Sequence, residues 1–469
     1  MKISKIHIVI YLFALGIFAS FGGCANQQPP SGGEDDKVPP KIKYLYPRPD
    51  ATNFSGDELT LEFDEYVDRR SFTDAFFVSP KPKGELAYSW SGKEVTVKFE
   101  KGLEKDKTYL FVIGKIFKDI RGNILSEPIQ FAVSTGNIID KGKISGKVYG
   151  NSFDREYVFA YKLKDAGLAS IDASKDFPDF IMPVSNEGNY KFENLSNGKY
   201  RLFAVFDNDR NGLLDKEFEF ISVTENDVEV KDTTPHTGVN FILKDVLLHQ
   251  DFYSGKEFYK ALIPDSSGMI FSNVISGDKN IGLLSRYYFY FKNHFLTKEE
   301  VAGTSSMQDT LGNKVRLVYN WMNDSLLEVV PTAGLYYNAP LSFKFNYTYN
   351  NTPYKYKLNF TIADERKTGE IKGTISDKYK IESPVIINLI NKNKRELNYT
   401  RTITDDSTFS FPGLLEGTYY ILAYIDSDKD GKYSAGDYFP YKPSEKVIVY
   451  SSVLNLKGGW NIENIILSF

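Results

Sequence analysis

Short runs of strictly alternating apolar and polar residues recur along this chain. Leu59, Leu61 and Phe63 alternate with Thr60 and Glu62; Val95, Val97 and Phe99 alternate with Thr96 and Lys98; Tyr109, Phe111 and Ile113 form a third run. A period of two predicts strands with one face in a core and the other in water, as in antiparallel sandwiches. Turn signals separate the runs, and no amphipathic helix of more than about two turns can be traced. The pattern predicts an all-β chain of tandem β-sandwiches.

The later part of the chain repeats an earlier part. Phe192, Gly198, Tyr200, Ala204, Asp207, Asp209 and Gly212 recur as Phe411, Gly417, Tyr419, Ala423, Asp426, Asp428 and Gly431, every pair 219 residues apart. Ile371–Ile375 (IKGTI) likewise echoes Ile144–Val148 (ISGKV). Such self-similarity marks duplication. Behind the N-terminal segment about 430 residues remain, too many for one core, so several domains are expected. They read as units of two kinds in alternation, 38–137, 138–248, 249–366 and 367–469. The third is matched to the first by Trp321, followed by Gly334 and Leu335 and the strand Leu341–Tyr349, as Trp90 is followed by Gly102, Leu103 and an aromatic and apolar strand.

Each copy of the repeat ends in an acidic loop, FDNDRNG (Phe206–Gly212) and IDSDKDG (Ile425–Gly431). Ca²⁺ takes six to eight oxygens, and side chains at alternating loop positions can surround it from one tight turn. Asp207, Asp209 and Asn211 supply three oxygens, the Leu213 carbonyl a fourth, and Asp215 or Glu217 closes the shell. In the second copy the set is Asp426, Asp428, Asp430, the Lys432 carbonyl and Asp437. Gly212 and Gly431 permit the positive φ such a turn needs. The loops match the first half of the EF-hand pattern, but its twelfth position holds Phe218 or Asp437 rather than Glu, and strands flank the loops. An EF-hand fold is excluded; a structural Ca²⁺ in each loop is expected. The same residues also suit a solvated Asx-turn hairpin.

PPKIKYLYPRPDATNFSGDELTLEFDEYVD and TYLFVIGKIFKDIRGNILSEPIQFAVSTG, within the first unit, resemble the bacterial Ig-like domain of many secreted Bacteroidetes proteins. The resemblance implies a spacer or binding sandwich. The second unit, with KISGKVYG and NYKFENLSNGKYRLFAVFDNDRNGLLD, resembles the small transthyretin-like sandwiches, including carboxypeptidase-regulatory modules and a secreted family with a D-x-N-x-N-G-x-x-D loop. Asp209 stands where that loop has Asn.

Residues 1–23 combine a basic start (Lys2, Lys5), an apolar run from Ile8 to Ala19 and small residues before Cys24, the one cysteine of 469 residues. This is a secretory signal, too short for a membrane span. It resembles a bacterial lipoprotein signal, although Phe21 replaces the usual Leu, and the resemblance implies lipidation of Cys24. The alternative is a plain signal peptide cleaved elsewhere. Residues 24–37 are polar and rich in Pro and Gly, a lipid-anchored tether. Glu34, Asp35 and Asp36 fit either a solvated linker or a surface-export signal.

A net charge of −4 with both signs mixed along the chain gives no field to attract nucleic acid. No Walker motif, G-x-S-x-G elbow or zinc pattern is present, and the four histidines lack a metal-ligand spacing. The chain is not expected to be an enzyme. Tyr287–Phe291 (YYFYF) places aromatics on both faces of one strand, either as a gripping surface or as a strand buried on one side with Tyr hydroxyls in water on the other. Together these features predict a non-catalytic outer-membrane lipoprotein, anchored by lipid, that serves as scaffold or accessory subunit of an integral β-barrel complex in protein assembly, transport or secretion. The alternative is a cell-surface glycan- or protein-binding lipoprotein.

Overall fold

The computed structural model describes residues 35–149, 155–163, 171–231, 233–243, 256–292, 296, 298–376, 381–392 and 398–469. The signal segment, Cys24, Glu34, His249 and His294 lie outside the described residues. The rest forms one compact unit, Pro40–Phe469, and is built almost wholly from strands.

The first module comprises β1 (Ile42–Tyr46), β2 (Glu58–Phe63), β3 (Phe76–Ser79), β4 (Leu86–Ser91), β5 (Glu94–Phe99), β6 (Thr108–Ile113) and β7 (Ile129–Ser134). Its two sheets, β1-β2-β5-β4 and β3-β6-β7, close over the three alternating runs. A short helix, Arg69–Ala75, precedes β3; the Asp68 carboxylate caps it by accepting the Ser71 N–H.

The second module comprises β8 (Gly142–Tyr149), β9 (Glu156–Leu163), β10 (Phe180–Pro183), β11 (Asn189–Leu195), β12 (Gly198–Phe206), β13 (Phe220–Val223), β14 (Val228–Val230), β15 (Pro235–His236) and β16 (Phe241–Ile242). One sheet runs β10-β9-β12-β13, with β14 also on β12; the other runs β11-β8-β15, with β16 also on β8. β15 and β16 lie parallel to β8. Where the first-module pattern predicts a wet outer face on β6, Leu110 and Val112 are fully buried. They join Ile144, Val148 and Met182 in the second module's core, so the docking of one sandwich on another removes that face from water.

The third module comprises β17 (Ile263–Pro264), β18 (Ile270–Ser272), β19 (Tyr287–Phe291), β20 (Ser306–Asp309), β21 (Lys314–Trp321), β22 (Leu326–Ala333), β23 (Pro340–Tyr349) and β24 (Thr352–Thr361). Its strand order repeats the first module's: β18-β19-β22-β21 follows β1-β2-β5-β4, and β20-β23-β24 follows β3-β6-β7. The helix Lys298–Thr304 enters before β20 as Arg69–Ala75 enters before β3. Trp90 ends up on β4 and Trp321 on β21, at equivalent places in the two orders. The difference is that β20 also pairs with β21, which joins the two halves into one eight-stranded sheet. That sheet folds over on itself, with Phe289 of β19 stacked on Phe343 of β23 at 4.9 Å.

Both faces of β19 are covered, contrary to the expectation of a one-sided strand. Tyr287, Phe289 and Phe291 enter the main core. Tyr288 points the other way, against Phe258, and its hydroxyl donates to Glu328 Oε1 at 2.8 Å. A short helix, Lys256–Ala261, brings Phe258 there.

The fourth module comprises β25 (Thr368–Ile375), β26 (Val385–Asn391), β27 (Asn398–Ile403), β28 (Thr408–Leu415), β29 (Gly417–Ile425), β30 (Asp437–Tyr438), β31 (Tyr441–Lys442), β32 (Val447–Val449), β33 (Leu454–Leu456) and β34 (Asn461–Leu467). β27-β26-β29-β32, with β33 also on β29, repeats β10-β9-β12-β13 with β14; β28-β25-β34 repeats β11-β8-β15, including the parallel final strand. Among the described residues the second module has no counterpart of the hairpin β30–β31.

The second and fourth modules touch directly, although a whole module separates them in sequence. Ile242 packs with Ile386, Leu422, Tyr424, Tyr433 and Val447. Tyr438 joins Phe203 and Val223. Burying large side chains of this kind stabilises by about 1.5–3 kcal/mol each. A cleft of about 760 Å³ runs beside this junction, with Asp227 and His236 on one wall and Lys446 on the other.

Candidate metal centres

Both acidic loops follow the long central strand of their module, β12 or β29, and both are anchored at their first acid. The Asp207 N–H donates to the Arg155 carbonyl and the Asp426 N–H to the Pro384 carbonyl, each at 2.9 Å. The residue after the second acid is left-handed in each, with Arg210 at φ 63° and Lys429 at φ 62°. Gly212 (φ 76°) and Gly431 (φ 78°) complete the turn, a conformation in which a side chain is strained.

Three hydrogen bonds recur in both loops, while the Asn211 N–H donates also to Asp207 Oδ1 (3.2 Å), a bond Asp426 Oδ1 lacks. The Gly212 N–H donates to Asp207 Oδ2 (2.9 Å), and the Gly431 N–H to Asp426 Oδ2 (3.1 Å). Asp209 Oδ1 accepts from Asn211 N–H and Asp428 Oδ1 from Asp430 N–H, both at 3.2 Å. Asn211 Oδ1 accepts from Leu213 N–H (2.6 Å), and Asp430 Oδ1 from Lys432 N–H (2.7 Å).

The acid that closes each cluster is not one the loop spacing indicates. In the first loop Asp207, Asp209 and Glu219 bring carboxylate oxygens within 4.8 Å of one another; in the second Asp426, Asp428 and Glu445 do so. Glu219 accepts the N–H groups of Asn208 (2.6 Å) and Asp215 (2.7 Å). Glu445 accepts those of Ser427 (2.6 Å) and Ser434 (3.1 Å). Asn208 and Ser427 are 219 residues apart, and so are Asp215 and Ser434, yet the two glutamates are offset by seven residues more. The hairpin β30–β31 falls within that slip, between Ser434 and Glu445.

Asp215, Glu217 and Asp437 do not belong to these two clusters. Asp215 lends its backbone N–H to Glu219, while its Oδ1 accepts from Glu217 N–H (3.1 Å); Glu217 itself is exposed. Asp437 opens the inserted hairpin and accepts from Phe439 N–H (3.2 Å). Asn211 and Asp430 belong to the loops but face the backbone two residues on. A fixed twelve-residue spacing could not find Glu219 or Glu445. Glu219 stands just before β13 and Glu445 just before β32, the strands that pair with β12 and β29.

The electrostatics of the loops suit a cation. Burial pushes the Asp207 carboxyl up to about 6, the Gly212 N–H opposes that rise, and the charge of Glu219 adds to it. Glu445 is raised as well, by burial first, with the Asp428 and Asp426 charges adding and the N–H groups of Ser434 and Ser427 opposing. Asp426 is 4% exposed, and its Oδ1 is buried without a hydrogen-bond partner. With two of the three acids of each cluster buried and Asp209 or Asp428 exposed, carboxylates that repel one another are stabilised together by a positive ion, and an all-oxygen donor set selects a hard one such as Ca²⁺.

Comparison with known proteins bears on one module. Residues 36–135 match the family model of the bacterial Ig-like domain. Among curated proteins none matches the chain. Similar solved structures include the Bacillus anthracis TIE protein, at 12% identity over 99% of this chain and 79% of that one, with a TM-score of 0.17. The major pilin subunit BcpA of Bacillus cereus matches at 10% identity over 70% of this chain and 99% of that one, also with a TM-score of 0.17. The surface layer protein SbsC matches at 8% identity over 90% and 68%, with a TM-score of 0.16. The chain thus carries a bacterial Ig-like domain at residues 36–135 within an all-β architecture.

Proposed function

We propose that this chain is a non-catalytic outer-membrane lipoprotein of Bacteroidetes type, lipidated on Cys24, that acts as a scaffold or accessory subunit for an integral β-barrel complex in protein assembly, transport or secretion. In this reading two Ig-like modules alternate with two transthyretin-like modules. Each transthyretin-like module holds one structural Ca²⁺, through Asp207, Asp209 and Glu219 or through Asp426, Asp428 and Glu445.

The observation that carries the reading is the direct packing of the second module on the fourth through Ile242, Tyr433 and Tyr438. Sandwiches joined only end to end leave each junction free to bend, whereas a contact between the second and fourth closes the chain into one body. A stiff body on a lipid tether suits the holding of a partner at a fixed distance from the membrane. The burial of Tyr287, Tyr288, Phe289 and Phe291 leaves little of that run for a glycan-gripping surface and weakens the rival reading. The two modules that carry acidic loops share a strand order down to their parallel last strand, which supports treating them as one domain type.

The test is co-purification of the C-terminally tagged chain from gently solubilised outer membranes, with mass spectrometry of what accompanies it. A stoichiometric integral β-barrel protein is the expected result. Recovery of the lipoprotein alone from intact membranes contradicts the scaffold reading.

A further inference from the structure

The segment between the acids of the fourth-module loop is also the segment that grips the second module. It leaves the loop at Gly431, and Tyr433 is buried with Ile242. The Val223 N–H donates to the Ala435 carbonyl (3.3 Å). Gly436 lies so close to Val223 that a Cβ there would fall 2.4 Å from its Cγ2. Tyr438 enters the second module's outer cluster, and Lys216, from the first acidic loop, sits over its ring at 5.0 Å. The Tyr441 hydroxyl donates to the Thr224 carbonyl (3.1 Å), and the Ser444 N–H donates to the same carbonyl (3.3 Å). The next residue is Glu445, the closing acid of the cluster.

We propose that Ca²⁺ held by Asp426, Asp428 and Glu445 clamps the fourth module onto the second. The proposal rests on the reading that this loop holds Ca²⁺. The second observation behind that reading is Asp426 Oδ1, buried and without a partner, on a carboxylate that brings an oxygen within 4.8 Å of one from each of the other two acids. The clamp follows from chain connectivity. Asp426 and Asp428 belong to the loop that leaves β29, while Glu445 stands at the far end of the docking segment. An ion that draws the three together fixes both ends of that segment, and Tyr433, Tyr438 and Tyr441 are presented as one surface. Without the ion, repulsion among the acids favours separation of Glu445 from the loop, and the segment is released at the end adjoining Thr224. The second module has no such insertion between Asp215 and Glu219, so its own ion would stiffen a loop that meets the junction at Lys216 without holding either end of the docking segment.

Full-length protein in detergent, first stripped with chelator, is titrated with CaCl₂ by calorimetry and then compared by amide hydrogen exchange in Ca²⁺ and in chelator. The expected result is Ca²⁺ binding, with the Val223 and Ser444 amides exchanging at least about tenfold more slowly in Ca²⁺. Asp426→Asn and Glu445→Gln should abolish that slowing while β26 core amides stay protected, and Asp207→Asn should retain it. Ca²⁺ binding with unchanged exchange at Val223 and Ser444 overturns the clamp and leaves the metal reading standing. Absence of binding at millimolar Ca²⁺ overturns both. Equal slowing in wild type and Asp426→Asn also overturns the clamp, because the ion responsible would then lie elsewhere.

Discussion

The guanidinium of Arg201 lies 3.6 Å from the centroid of the Tyr441 ring. Arg201 is almost wholly buried and is held from the other side by Asp227, with Nε to Oδ1 at 2.8 Å and Nη2 to Oδ2 at 3.0 Å. The Asp227 carboxylate therefore orients a cation for a ring that comes from another module. Fork geometry and desolvation both strengthen this polar contact across the junction.

Tyr441→Ala removes both the stacking and the hydroxyl's bond to Thr224. The expected loss is about 1–3 kcal/mol, measured by chemical denaturation. Tyr441→Phe keeps the ring and should lose about 1 kcal/mol or less. If Tyr441→Phe were as damaging as Tyr441→Ala, the ring–guanidinium contact would contribute nothing.

Asp207→Ala should lower the melting temperature in millimolar Ca²⁺ and leave it nearly unchanged in excess chelator, because the folded state gains stability from an ion only when the ion is bound. Differential scanning fluorimetry in the two buffers decides it. An equal drop in both would mean that Asp207 serves the turn and not a metal.

Glu219→Gln should weaken Ca²⁺ affinity at the first loop about tenfold or more, through loss of a charged oxygen ligand. Asp215→Ala and Glu217→Ala should change it far less. Calorimetric titration of the three variants ranks them. A larger loss in Asp215→Ala than in Glu219→Gln would restore the shell that the loop spacing suggests.

Leu110→Ala should destabilise the protein by about 2–5 kcal/mol, as large-to-small changes in cores do. Leu110 occupies the face of β6 that alternation alone assigns to water, and it is fully buried against the second module. A change within about 0.5 kcal/mol, typical of surface sites, would mean that the first and second modules are not docked in solution.

These cases show which parts of the molecule were legible. Alternation in Leu59–Phe63 and Val95–Phe99 placed strands and their buried faces correctly, because each strand's inner face answers to its own module's core. It failed at Leu110, Val112 and Tyr288, whose second faces are covered by elements remote in sequence or by a short helix with no amphipathic signature of its own. The first acids of both loops were legible because they lie within one turn, where spacing dictates geometry. Glu445 was not, because the inserted hairpin separates it from Ser434 while the fold returns it to the place Glu219 holds in the other copy. A repeat aligned at a single offset cannot register such a slip.

The most direct measurement is the number of Ca²⁺ ions bound per chain at saturation, by calorimetry on the chelator-stripped full-length protein. The account predicts two ions, one in either Asp207→Asn or Asp426→Asn, and none in the double variant, each cluster acting independently. Binding of no ion by the wild type, or of two ions by the double variant, would contradict it.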